Sequence, residues 1–69
     1  MSIPVRRKAE LLVEETRHRI EGQRAIVGDL ERRGVDATQA RKHLAMLEET
    51  LMRRIEILNQ LRAKSEKKH

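Results

Sequence analysis

The residues able to do chemistry are few and scattered. There is no cysteine, which excludes thiolate catalysis, disulfides and sulfur-ligated metals. Ser2 and Ser65 stand near the two ends, outside any set of nucleophile, base and orienting group. The carboxylates include two adjacent pairs, Glu14-Glu15 and Glu48-Glu49. Adjacent helical residues point about 100° apart, so neither pair converges as an acid and a base would have to. One turn beyond these acids come His18, Arg19 and Arg53, and pairs at that spacing each support a helix by roughly a few tenths of a kcal/mol. His18, His43 and His69 are too far apart for a zinc site, and the chain has no glycine-rich phosphate loop. The sequence therefore predicts no catalytic, cofactor-binding or metal-binding residues.

One short segment invites a comparison. His18-Arg19-Ile20-Glu21-Gly22 resembles the phosphorylated-helix motif of histidine phosphotransfer domains, in which an exposed His is followed by an apolar residue, a Lys and a Gly. Glu21 stands where that family has Lys and would repel a phosphoryl group. Gln23 stands where the family has a small residue. With those departures His18 reads as an ordinary surface histidine.

The elements that carry these residues follow from a mirror in the apolar pattern. Leu30, Val27, Gln23, Ile20, Thr16, Val13 and Ala9 run back from the centre. Ala40, Leu44, Leu47, Leu51, Arg54 with Ile55, Leu58 and Leu61 run forward at the same alternating gaps of three and four. Successive partners have residue numbers totalling 70 or 71, so each pair falls at one height in two antiparallel helices folded about Val35. The expected fold is all-α: an antiparallel helical hairpin of one domain, with helix 1 over about residues 4–33, a corner at 34–36, helix 2 over about 37–64 and a frayed tail at 65–69. The expected core, shared between hairpin and dimer, is Val13, Ile20, Ile26, Val27, Leu30, Leu44, Leu47, Leu51, Ile55, Leu58 and Leu61. Thr16, Gln23 and Arg54 are polar seam residues that would fix register, with Arg54 laying its stem along the bundle edge and keeping its head wet.

The corner has its own chemistry. Gly34 can take the left-handed conformation that ends a helix, with Val35 packing back on Leu30 and stapling onto Ala40. Asp36 would cap the second helix, and Gln39 stands at the capping-box spacing from it. At the other end, Ser2 is a candidate cap and Pro4 suits a first turn.

Size argues for association. A chain of 69 residues without cysteine or any aromatic residue rarely stabilises itself alone. Leu12 and Ile26 beside one seam, and Ala45, Met52 and Ile55 beside the other, widen the apolar stripe beyond what a two-helix contact covers. A homodimer forming a four-helix bundle is the expected remedy. With 39% charged residues and no long apolar run, the chain has no membrane span, and the expected location is the cytoplasm.

Charge gives the other hint of a partner. Lys and Arg number 16 against 11 acids, for a net charge of +5. Arg6, Arg7 and Lys8 open helix 1, and Lys64, Lys67 and Lys68 close helix 2, so folding gathers both clusters at the open end. These are the candidate contacts for nucleic-acid phosphates or an acidic protein. With no aromatic residue to stack on bases, nucleic-acid binding would be directed at backbone and shape. The functional expectation is a non-enzymatic interaction or scaffold module that self-associates and docks a protein partner. The alternative is a small basic nucleic-acid-binding regulator.

The string Ile20-x-x-Gln23-x-x-Ile26-Val27-x-x-Leu30, followed by Gly34-x-Asp36, Ala40, Leu44, Leu47 and Glu49-Thr50-Leu51, resembles a group of short helical-hairpin proteins of alpha-proteobacteria. The resemblance covers about residues 18–58. Ala37 interrupts that group's adjacent Asp-Thr. The resemblance implies the hairpin fold and a bacterial origin, and implies no activity.

Overall fold

In the computed structural model the described residues are 4–66, with side chains described through Lys64. They form two helices, α1 (Val5–Arg32, 28 residues) and α2 (Thr38–Glu66, 29 residues), packed against each other as an antiparallel hairpin. At 1.5 Å per residue each is roughly 42 Å long. The molecule measures 57 × 23 × 13 Å, which is a single layer of two helices side by side.

Each helix boundary has a physical cause. Pro4 sits one residue ahead of α1 rather than inside its first turn, and its carbonyl accepts the first helical bond, from the Lys8 amide at 3.0 Å. Ser2 lies outside the described residues. At the far end the Gly34 amide donates to the Glu31 carbonyl (3.1 Å) and the Val35 amide to the Leu30 carbonyl (2.9 Å), with Gly34 at φ 71°. This is the Schellman ending that the sequence predicts, and the left-handed φ is what makes glycine necessary there. The Val35 side chain is left half-exposed.

The start of α2 differs in detail from the expected capping box. Asp36 Oδ1 accepts from the Thr38 amide (3.0 Å) and the Thr38 hydroxyl (2.6 Å), so Thr38 takes the place expected of Gln39. An Asx turn over two residues satisfies the cap with less reach than a box over three. The helix therefore begins at Thr38, one residue later than expected, with the Ala37 carbonyl accepting from the Arg41 amide at 2.9 Å. Ala37 itself is 2% exposed, tucked in the corner. α2 continues through Ser65 to Glu66, two residues beyond the expected helix end, and residues 67–69 lie outside the described residues.

Packing follows the mirrored seam. Ala9, Val13, Ile20 and Val27 of α1 and Leu58 of α2 are buried. Leu51, Ile55 and Leu61 pack against the Ala9–Val13–Leu58 cluster while staying partly exposed. Leu30, Leu44 and Leu47 are half-buried. Ile26 is 50% exposed in the single chain, beside the seam as its spacing predicts.

Candidate interaction surfaces

The polar seam residues are tied across the hairpin. Thr16 is 1% exposed, and its hydroxyl donates to the Leu12 carbonyl at 2.7 Å. Arg54 Nη1 donates to Thr16 Oγ1 at 2.8 Å and to the Leu12 carbonyl at 3.4 Å. The Arg54 head is thus turned inward onto α1, correcting the expected solvent-facing head. A half-buried cation gains more from two oxygen acceptors than from remaining at the edge. Gln23 does not simply face Leu47; its Nε2 donates to the Ala40 carbonyl at 3.0 Å, nearer the corner. Among the described residues no buried side-chain polar atom is left without a partner.

The two flanks of the seam are chemically unlike. Along one flank every seventh residue of α1 is Glu10, Arg17, Arg24 and Glu31, and their counterparts on α2 are Arg62, Ile55, Glu48 and Arg41. At three of those four levels an ion pair bridges the helices: Glu10–Arg62 at 3.5 Å, Arg24–Glu48 at 3.3 Å and Glu31–Arg41 at 2.8 Å. The residue numbers total 72 in each case, as one constant antiparallel register demands. The gap in the ladder is the Arg17–Ile55 level. There Met52 lies beside Arg17, Ile20 and Leu51 in one groove and beside Ile55 and Asn59 in an adjoining one.

The opposite flank carries Val5, Leu12, Arg19 and Ile26 on α1, facing Lys64, Ile57, Thr50 and His43 on α2. A shallow hollow there is lined by Arg19, Gly22, Gln23, Ile26, His43 and Leu47. Arg19 reaches back to Glu15 at 2.8 Å, the expected one-turn pair. The wide apolar stripe expected from the sequence is thereby divided: Leu12 and Ile26 belong to this apolar flank, and Ala45, Met52 and Ile55 to the charged one. Helical spacing finds both sets beside a seam. The side on which each lies emerges once the antiparallel register is fixed.

The open end gathers Arg6, Arg7, Lys8 and Lys64, all exposed. Arg7 lies 3.5 Å from Glu10, so part of that cluster is engaged with an acid. Lys67 and Lys68 fall outside the described residues, as does His69. His18 and His43 are exposed. Among the described residues no group of three or more His, Cys, Asp or Glu side chains could hold a metal ion, and no helix is long and apolar enough to cross a membrane. The corner also carries a shift in acidity. The Thr38 hydroxyl, then the Thr38 amide, hold the Asp36 carboxyl below its ordinary value, and the charge of Arg41 adds to the effect.

No protein-family model matches the chain, and the searches of curated proteins and of solved structures return no match either.

Proposed function

We propose that this chain is a non-enzymatic helical interaction module of the bacterial cytoplasm: it self-associates as a homodimer, and the assembly docks a protein partner. The observation that carries the reading is surface. The chain exposes 5847 Å² at a mass of 8.1 kDa, whereas a compact monomer of that mass exposes about 4,500 Å². Its radius of gyration is 16.1 Å, against about 11 Å for a compact domain of this length. The α2 leucines Leu44, Leu47, Leu51 and Leu61 remain half-buried, so the hairpin seam alone does not hide them. Sedimentation equilibrium tests the first half. A dimer at micromolar concentration, with a melting temperature that rises with concentration, is the expected result. A folded monomer over that range overturns it.

A second reading rests on the exposed cations at the open end. Here the chain binds nucleic-acid backbone through Arg6, Arg7, Lys8 and Lys64, joined by Lys67 and Lys68. Replacing Arg6, Arg7 and Lys8 with Gln would then weaken binding and flatten its salt dependence, by about one unit of slope for each phosphate no longer neutralised. No retention of RNA or DNA at low salt disposes of this reading and leaves the first intact.

A further inference from the structure

We propose that two copies of this chain meet through the apolar flank, with their Gly34 corners at opposite ends of the assembly. This rests on the self-association reading above and assigns it a surface and an orientation.

The area available suits such a contact. The chain exposes 5847 Å², about 1,300 Å² beyond a compact monomer of its mass, and a standard interface needs about 800 Å² per partner. The layer is 13 Å thick, so each flank is a complete face that a second hairpin can cover.

Charge decides which face. On the charged flank Glu10, Arg24 and Glu31 already have cross-helix partners. Docking there would strip water from three ion pairs, and desolvation tends to cancel what such pairs gain. On the apolar flank the exposed Val5, Ile26 and Ile57 stand in line, with Met46 at their edge. Arg19, at mid-height, borders the hollow but is already paired with Glu15 at 2.8 Å. Burying that flank removes large apolar side chains from water and desolvates few charges.

Charge also decides orientation. The open end holds Arg6, Arg7, Lys8 and Lys64. Corners at the same end would bring two such clusters together. Corners at opposite ends separate them by about 40 Å, the length of a helix, against a screening length of about 8 Å at physiological salt. Arg19 and Thr50 mark mid-height, seven residues from Ile26 and His43 on one side and from Leu12 and Ile57 on the other. Reversal about that level brings Ile26 of one protomer to the height of Leu12 and Ile57 in the other.

Two measurements test this. Sedimentation of Ile26→Glu, Ile57→Glu and Met52→Glu, with helicity followed by circular dichroism, reads the flank. The first two variants are expected to weaken dimerisation about tenfold or more, and Met52→Glu to leave it unchanged. A dimer lost in Met52→Glu but kept in the other two overturns the flank and leaves self-association standing. A wild-type chain that stays monomeric overturns self-association itself. Because a monomeric variant could unfold, pulsed electron-spin distances on single cysteines in the otherwise unaltered chain provide a second reading. Labels at Arg19→Cys are expected within about 20 Å across the apolar flank, since facing helices pack about 10 Å apart. Contact through the charged flank would hold them beyond about 30 Å, two further helix diameters away. Labels at Arg33→Cys, beside the corner and fourteen residues from the Arg19 level, are expected about 40 Å or more apart; a short distance there overturns the orientation.

Discussion

Arg54 reaches across the seam to Thr16. Its Nη1 donates to the Thr16 hydroxyl oxygen at 2.8 Å while that hydroxyl donates to the Leu12 carbonyl at 2.7 Å. The most deeply buried side chain among the described residues is thus a polar one, and it is satisfied from both directions. A slip of one heptad would bring Arg54 opposite Gln23 or Ala9 instead, so this contact selects one register among those the leucines alone would permit.

Thr16→Val removes the acceptor and leaves a guanidinium N–H short of a partner in the half-buried seam. The expected cost is about 1–2 kcal/mol. Arg54→Leu in the same background is expected to recover most of that loss, because an apolar pair of similar volume desolvates no charge. Urea unfolding of the two single variants and the double variant measures the coupling. Additive effects would show that the contact contributes nothing of its own.

The corner predicts a pH dependence. The Thr38 hydroxyl and amide, with Arg41, depress the Asp36 carboxyl below its ordinary 3.8. A group with a depressed folded value contributes stability that is fully present above its unfolded value and is lost as pH falls through the folded one. Asp36→Asn keeps an acceptor for Thr38 but has no charge to titrate. Its stability is expected to fall less steeply than wild type below about pH 4, while Asp36→Ala loses the cap to Thr38 and is less stable than wild type near neutral pH. Identical acid limbs for wild type and Asp36→Asn would contradict the assignment.

Much of the fold was legible because its signals are local or strictly periodic. Gly34, followed by Val35 and Asp36, announced the corner, and the matched gaps around it announced antiparallel helices. Details that depend on side-chain reach were not legible. Whether Asp36 accepts from Thr38 or Gln39, and whether the Arg54 head donates inward to α1 or outward to water, depends on competing partners within reach of one side chain. The flanks were legible in part. Seven-residue spacing places Ile26 and Met52 beside their seams, but their assignment to opposite faces needs the interhelical register, which the pairs Glu10–Arg62, Arg24–Glu48 and Glu31–Arg41 make explicit. No short motif marks such a ladder, since its partners are up to 52 residues apart.

Two glycines should respond in opposite ways to the same substitution. Gly34 has φ 71°, so Gly34→Ala forces a side chain into a left-handed conformation and is expected to cost about 1 kcal/mol or more. Gly22 lies within α1 with open space where a Cβ would go, so Gly22→Ala is expected to stabilise the hairpin by about 0.5–1 kcal/mol. Thermal or urea unfolding decides, and matching signs at the two sites would contradict this account of the corner.

The three interhelical ion pairs should not be equal. Arg41 donates twice to one Glu31 oxygen, from Nε at 3.0 Å and Nη2 at 2.8 Å. Arg24 makes a single 3.3 Å contact to Glu48, and Glu10 divides itself between Arg7 and Arg62 at 3.5 Å each. The Glu31 and Glu48 pairs are about half-exposed on both sides, so solvent screening keeps each contribution within about 1 kcal/mol. Glu31 and Arg41 also lie ten residues apart across the corner, so closing their contact orders little additional chain. Glu31→Gln is therefore expected to cost more than Glu48→Gln or Glu10→Gln, with the difference shrinking as salt is raised toward 1 M, where the screening length is about 3 Å. Exchanging the pair as Glu31→Arg with Arg41→Glu should restore part of the loss while leaving acids and bases in equal number. A double variant no better than its two parents would show that local helix charge, rather than the cross-helix contact, sets the stability of this corner.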